Sequence, residues 1–99
     1  MAAKRLKTEI DKILREEKNY AISLQERGEF GRAKLTFAAI EVVRSALRAA
    51  AVGEEEGFAD RLLGALEEER SSYVGLWDDE DGVGTSTFSR VIDHVESGL

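Results

Sequence analysis

Ninety-nine residues, 42% of them apolar and none of them cysteine, support one modest hydrophobic core held by packing alone. They exclude a second domain, a disulfide framework, thiolate metal sites and a cysteine nucleophile. The net charge of −6 conceals an asymmetry: residues 1–52 carry 11 Lys and Arg against 7 Asp and Glu, residues 53–99 carry 3 against 13, and the halves stand at +4 and −10. 

With no proline and 34% charged residues, the composition predicts helices interrupted only by glycine. Helix one is predicted from about Ala3 to Arg27, because Leu6, Ile10, Ile13, Leu14, Tyr20, Ala21 and Leu24 fall within an arc of roughly 120°. Its other face carries Lys4, Arg5, Lys7, Lys12, Arg15 and Lys18. Spacing predicts the pairs Lys7/Asp11, Asp11/Arg15 and Lys12/Glu16, each worth a few tenths of a kcal/mol. Asp11, Glu16 and Glu17 dilute this basic face, which argues against nucleic acid. The face is expected to meet acidic surface, either residues 53–81 of its own chain or those of a second copy. Ile22 lies on the polar side and would help mark an interface in such a homodimer. No apolar leader follows Met1 and no apolar run approaches the ~20 residues of a membrane span, so the chain reads as cytoplasmic.

Gly28 is placed to end helix one in a left-handed conformation, and Glu29 brings a carboxylate to the start of the next helix. Helix two, about Phe30 to Val52, shows two apolar faces: Phe30, Ala33, Phe37, Ile40 and Leu47 on one, Leu35, Ala39, Val42, Ala46 and Ala49 on the other. Two such faces predict a central helix. Glu54, Glu55 and Glu56 suit the N-terminus of helix three, whose stripe runs through Phe58, Leu62, Leu63, Leu66, Tyr73, Leu76 and Trp77. The alternative for this region is a β-hairpin of Tyr73 to Trp77 with Val83 to Phe88, turning at Asp81-Gly82. Otherwise residues 78–86 form an acidic, glycine-bearing loop. Thr85, Ser86 and Thr87 offer N-caps to a short fourth helix, about Thr87 to Ser97, with Phe88, Val91, Ile92 and Val95 at helical spacing. A helix that brief must dock on the bundle or on a partner.

The Gly28-x-Phe30-x-x-Ala33-x-x-x-Phe37-x-x-Ile40 stretch resembles the turn and second helix of a tetratricopeptide repeat or of a MIT-type (microtubule-interacting and transport) hairpin, over residues 20–44. The tetratricopeptide Trp, Leu-Gly and closing Pro are missing, and no second copy follows. The MIT-like resemblance implies one three-helix unit over residues 3–77 that binds a short helical peptide in an interhelical groove.

Other motifs fall short of chemistry. Asp79-x-Asp81-Gly82 imitates the middle of an EF-hand loop, but Trp77 and Phe88 occupy the end positions and cannot ligate, so no metal is expected. Gly82-x-Gly84-Thr85-Ser86 lacks a following Lys and sits behind four carboxylates, which argues against a phosphate cradle. Arg90-Val-Ile-Asp-His94 resembles the Arg and His pair of helical HEPN-type ribonucleases at a shorter spacing, and one residue on a helix turns a side chain by 100°. His94 therefore reads as a rim histidine.

The sequence thus predicts an all-α protein: an antiparallel three-helix bundle with a short C-terminal fourth helix after an acidic loop. The predicted activity is a non-catalytic protein-interaction module with no cofactor, contacting a basic partner through Tyr73, Trp77, Asp78, Asp79, Glu80 and Asp81. The alternatives are an acidic inhibitor that presents carboxylates in place of phosphates, of phage or toxin-antitoxin type, and, third, a helical ribonuclease using Arg90 and His94.

Overall fold

The apolar periodicities are realised as four α-helices in a computed structural model, which describes residues 3–77 and 83–97, with side chains at 4–72 and 86–97. They are α1 (Ala3–Glu26), α2 (Phe30–Ala50), α3 (Phe58–Trp77) and α4 (Val83–Ser97), with a 3₁₀ turn at Glu55–Gly57 and no strand among the described residues. The two segments of the β-hairpin alternative are helical instead, one ending α3 and the other opening α4. No helix among the described residues is long and apolar enough to cross a membrane.

α1 buries Leu6, Ile10, Ile13, Leu14, Ala21 and Leu24, as its periodicity requires, while Ile22 stays exposed. Tyr20 is the exception: it is 42% exposed although it shares the apolar arc. An arc gives the direction of a side chain, not whether a neighbour reaches it. The end of α1 is fixed by Gly28 at φ 82°, where a side chain would be strained. The Gly28 N–H donates to the Gln25 carbonyl at 3.0 Å and the Glu29 N–H to the Leu24 carbonyl at 2.8 Å, the paired bonds of a Schellman turn. The chain reverses within three residues, so α2 returns along α1.

The two apolar faces of α2 merge into one broad buried arc of Ala33, Thr36, Ala39, Ile40, Val43, Ala46, Leu47 and Ala50. That breadth lets α2 pack against α1, α3 and α4. Phe30 does not join it: at the first turn of α2 it is 67% exposed. Leu35 and Val42 are half-buried at the edge of the arc.

α2 stops at Ala50, two residues early, and α3 starts at Phe58 after the 3₁₀ turn that holds Glu55 and Glu56. Arg61 organises this junction. Its Nε and Nη2 donate to the Ala50 carbonyl at 3.1 and 2.9 Å, and Nη2 also donates to the Glu54 carbonyl at 2.6 Å. The Ala50 carbonyl, which the end of α2 leaves without a helical partner, thereby gains a cationic donor, and the connecting segment is tied to it through Glu54. α3 then buries Phe58, Leu62 and Leu66.

The largest departure from expectation is α4. It begins at Val83, four residues ahead of Thr87, so residues 83–86 belong to the helix rather than to the acidic loop. Thr87 is a fully buried helical residue, not a cap. Phe88, Val91, Ile92 and Val95 are buried in one cluster with Leu6, Ile10 and Leu14 of α1, Val43 and Leu47 of α2, and Leu62 and Leu66 of α3. Each such side chain contributes about 1.5–3 kcal/mol when removed from water, so α4 supplies a share of the core comparable with that of any other helix. Phe88→Ala is expected to destabilise the protein by about 3–5 kcal/mol in urea unfolding, with one transition for the whole chain; a loss below about 1 kcal/mol would show that α4 is not core.

Candidate functional site

Packing α4 beside α1 decides where the charges of the first helix point. Glu17 is only 13% exposed in its side chain. Its Oε1 accepts a hydrogen bond from the buried Thr87 hydroxyl at 2.8 Å, and its Oε2 one from Arg90 Nη1 at 3.3 Å. Arg90 Nη2 also donates to Glu16. One turn further on, His94 Nε2 stands 3.4 Å from Glu9 Oε1. The pairs Glu9 with His94 and Glu17 with Thr87 show α1 and α4 running in opposite directions. Arg90 and His94, the pair proposed for ribonuclease chemistry, are each directed to a different α1 carboxylate.

The consequence is a sorting of charge on α1 that its linear sequence does not display. Three of its carboxylates turn toward α4, and the cations turn outward. Lys4, Lys7, Lys12, Arg15 and Lys18 are all exposed, and none has a carboxylate within 4 Å among the described residues. The predicted pairs Lys7/Asp11, Asp11/Arg15 and Lys12/Glu16 do not form there, because Glu16 meets Arg90, and an exposed pair gains too little to hold two long side chains together. Arg5 of the same face stands 3.9 Å from Glu9, and no carboxylate of residues 53–81 lies within 4 Å of the face among the described residues.

The opposite sign is displayed on α3. Asp60, Glu67 and Glu68 lie on its outer side with Gly64 and Ser71, all exposed, and none of the three carboxylates has a cation within 4 Å among the described residues. On a different side of α3 from Asp60 and Glu67, a cleft of about 370 Å³ opens between α2 and α3, lined by Val42, Ser45, Ala46, Ala49, Ala65 and Glu69. Small side chains on both walls let another helix approach closely, and Glu69 places a carboxylate in the same cleft.

Of the sequence-predicted contact residues, Asp78, Asp79, Glu80 and Asp81, like the side chains of Tyr73 and Trp77, lie outside the described residues. The MIT-like resemblance implies an interhelical groove but names no residues for it. The signal of the cleft was present in the second apolar face of α2, where Val42, Ala46 and Ala49 left more small surface than one neighbouring helix covers. Among the described residues no group of three His, Asp or Glu side chains is placed to hold a metal ion. The EF-hand-like Asp79 to Gly82 segment falls outside them.

No protein-family model matches this chain, and no curated protein and no solved structure shows significant similarity to it. Among the described residues the fold is all-helical, with four α-helices, and its surface is the remaining guide to function.

A double-mutant cycle of Glu17→Gln and Arg90→Ala tests the seam. The expected coupling is about 1–2 kcal/mol, above the range of an exposed pair because Glu17 is largely buried and Thr87 shares its carboxylate. Additive effects in urea unfolding would show that the two side chains do not interact.

Proposed function

We propose that this chain is a non-catalytic protein-interaction module, an adaptor or regulator, that binds a basic-flanked helical segment of a partner protein. In this reading α1 to α3 form an antiparallel three-helix bundle that α4 closes, and the α2–α3 cleft is the docking groove. The observation that carries it is the cleft of small side chains between α2 and α3 that holds the Glu69 carboxylate, on a helix whose other exposed carboxylates, Asp60, Glu67 and Glu68, have no cation within 4 Å among the described residues. Apolar residues of the incoming helix fill the cleft, and Lys or Arg on its flanks meets the carboxylates, which raises association rate and fixes orientation. The proposed contacts also include Tyr73, Trp77, Asp78, Asp79, Glu80 and Asp81, the acidic and aromatic residues that follow Glu67, Glu68 and Glu69 in the sequence. The resemblance of residues 20–44 to tetratricopeptide and MIT-type hairpins supports groove binding.

A second reading, an acidic inhibitor covering a nucleic-acid-binding surface, draws on the same carboxylates spaced along one exposed helix face. It has no need of the cleft, and this separates the two.

The test uses a 20-residue helical peptide with Ala and Leu on one face and Lys or Arg along its edges, titrated at 50 mM salt. Glu67→Lys with Glu68→Lys is expected to weaken binding about 10-fold or more, or about 1.4 kcal/mol. Ala49→Trp, at an exposed position, is expected to abolish binding by filling the cleft. Peptide affinity unchanged in both variants would contradict the proposal. Sensitivity to the lysine variant alone would favour the inhibitor.

A further inference from the structure

A second cleft, of about 350 Å³, lies where the start of α1 meets the α2–α3 junction, and Lys4, Lys7, Glu55, Phe58 and Arg61 are among its lining residues. Among its described lining residues three cations stand against one carboxylate, a surplus of two positive charges. The volume is at the small end of ligand pockets.

The guanidinium in this cleft is held in place. Nε and Nη2 of Arg61 are committed to the Ala50 and Glu54 carbonyls, so the planar group cannot swing away. Nη1 has no acceptor among the described residues. It lies against Gly57, where a Cβ would stand 2.5 Å from Nη1. Any side chain at position 57 would displace that nitrogen, and glycine leaves its N–H groups uncovered. The same hydrogen bonds offset the negative end of α2, which would otherwise repel an anion. Lys4 and Lys7, one turn apart on α1, are exposed and have no carboxylate within 4 Å among the described residues.

We propose that the Lys4, Lys7 and Arg61 cleft binds the dianionic phosphate group of a phosphate monoester. Two surplus positive charges match a dianion. A fixed guanidinium gives directed N–H donors, and two mobile ammonium groups close on the remaining oxygens. The phosphate monoester is either a free small molecule or a phosphorylated side chain of a protein segment. This site stands apart from the α2–α3 cleft and does not depend on the function proposed for it.

The full chain, ¹⁵N-labelled, is titrated at constant ionic strength with inorganic phosphate, O-phosphoserine and a phosphoserine-containing peptide. The expected result is saturable shifts of the Gly53, Phe58 and Arg61 amides, while those of Lys18 and Arg44 stay in place. Lys4→Gln with Lys7→Gln, both at exposed positions, is expected to weaken phosphate binding 10-fold or more, and Lys12→Gln with Lys18→Gln by less than 2-fold. Equal affinity for O-phosphoserine and peptide identifies a free monoester as the ligand; a 10-fold preference for the peptide identifies a phosphorylated segment. Shifts that never saturate, or that respond equally to both lysine pairs, mean an adventitious ion only and overturn the proposal.

Discussion

The burial of α4 against α2 and α3, with its polar edge laid beside α1, is the constraint on which the other features rest. Phe88, Val91, Ile92 and Val95 complete a core that α1, α2 and α3 share, and their burial brings Thr87, Arg90 and His94 alongside Glu17, Glu16 and Glu9. A helix of 15 residues has little stability by itself in water, and here it forms because its apolar edge has three neighbours. The polar seam then sets rotation and register. The Thr87 hydroxyl is buried, and leaving it without an acceptor would cost about 1–3 kcal/mol, so Glu17 has to face it.

That seam reverses the electrostatic picture drawn from sequence. Counted along the chain, Glu16 and Glu17 dilute the cations of α1. In the fold they are occupied by α4, and Lys4, Lys7, Lys12, Arg15 and Lys18 are displayed without them. The carboxylates of α3 point elsewhere, also without cations close by among the described residues. The described residues therefore present a predominantly cationic face on α1, with Asp11 within it, and exposed carboxylates on α3, an arrangement that steers charged partners to one face and away from another. The two proposed sites follow this division: a carboxylate-edged cleft between α2 and α3, and a cation-lined cleft at the α2–α3 junction.

Much of the fold was legible because local rules decided it. The core residues of α1 follow from helical spacing, and the α1–α2 turn follows from the one residue type that accepts φ 82° without strain. The centrality of α2 follows from the width of its apolar arc. What was not legible depended on neighbours distant in sequence. Tyr20 and Phe30 have the hydrophobicity of core residues but the exposure of surface ones. The early end of α2 and late start of α3 reflect Arg61, eleven residues from the carbonyl that it caps. The early start of α4 runs through Gly84, a residue with poor helix propensity, so a reading by propensity placed the helix start after it. Glu9 has one partner within reach of the i to i+4 rule, Arg5, but the α4 partners of Glu9, Glu16 and Glu17 lie more than 65 residues away.

Hydrogen exchange of individual amides under native conditions tests most directly whether α4 is an equal member of the core. Amides of Val91, Ile92 and Val95 should open with the same free energy as those of Leu14, Val43 and Leu66, through one shared unfolding event. Exchange of the α4 amides at the rate of an unstructured peptide, with those of α1, α2 and α3 still protected, would contradict the account.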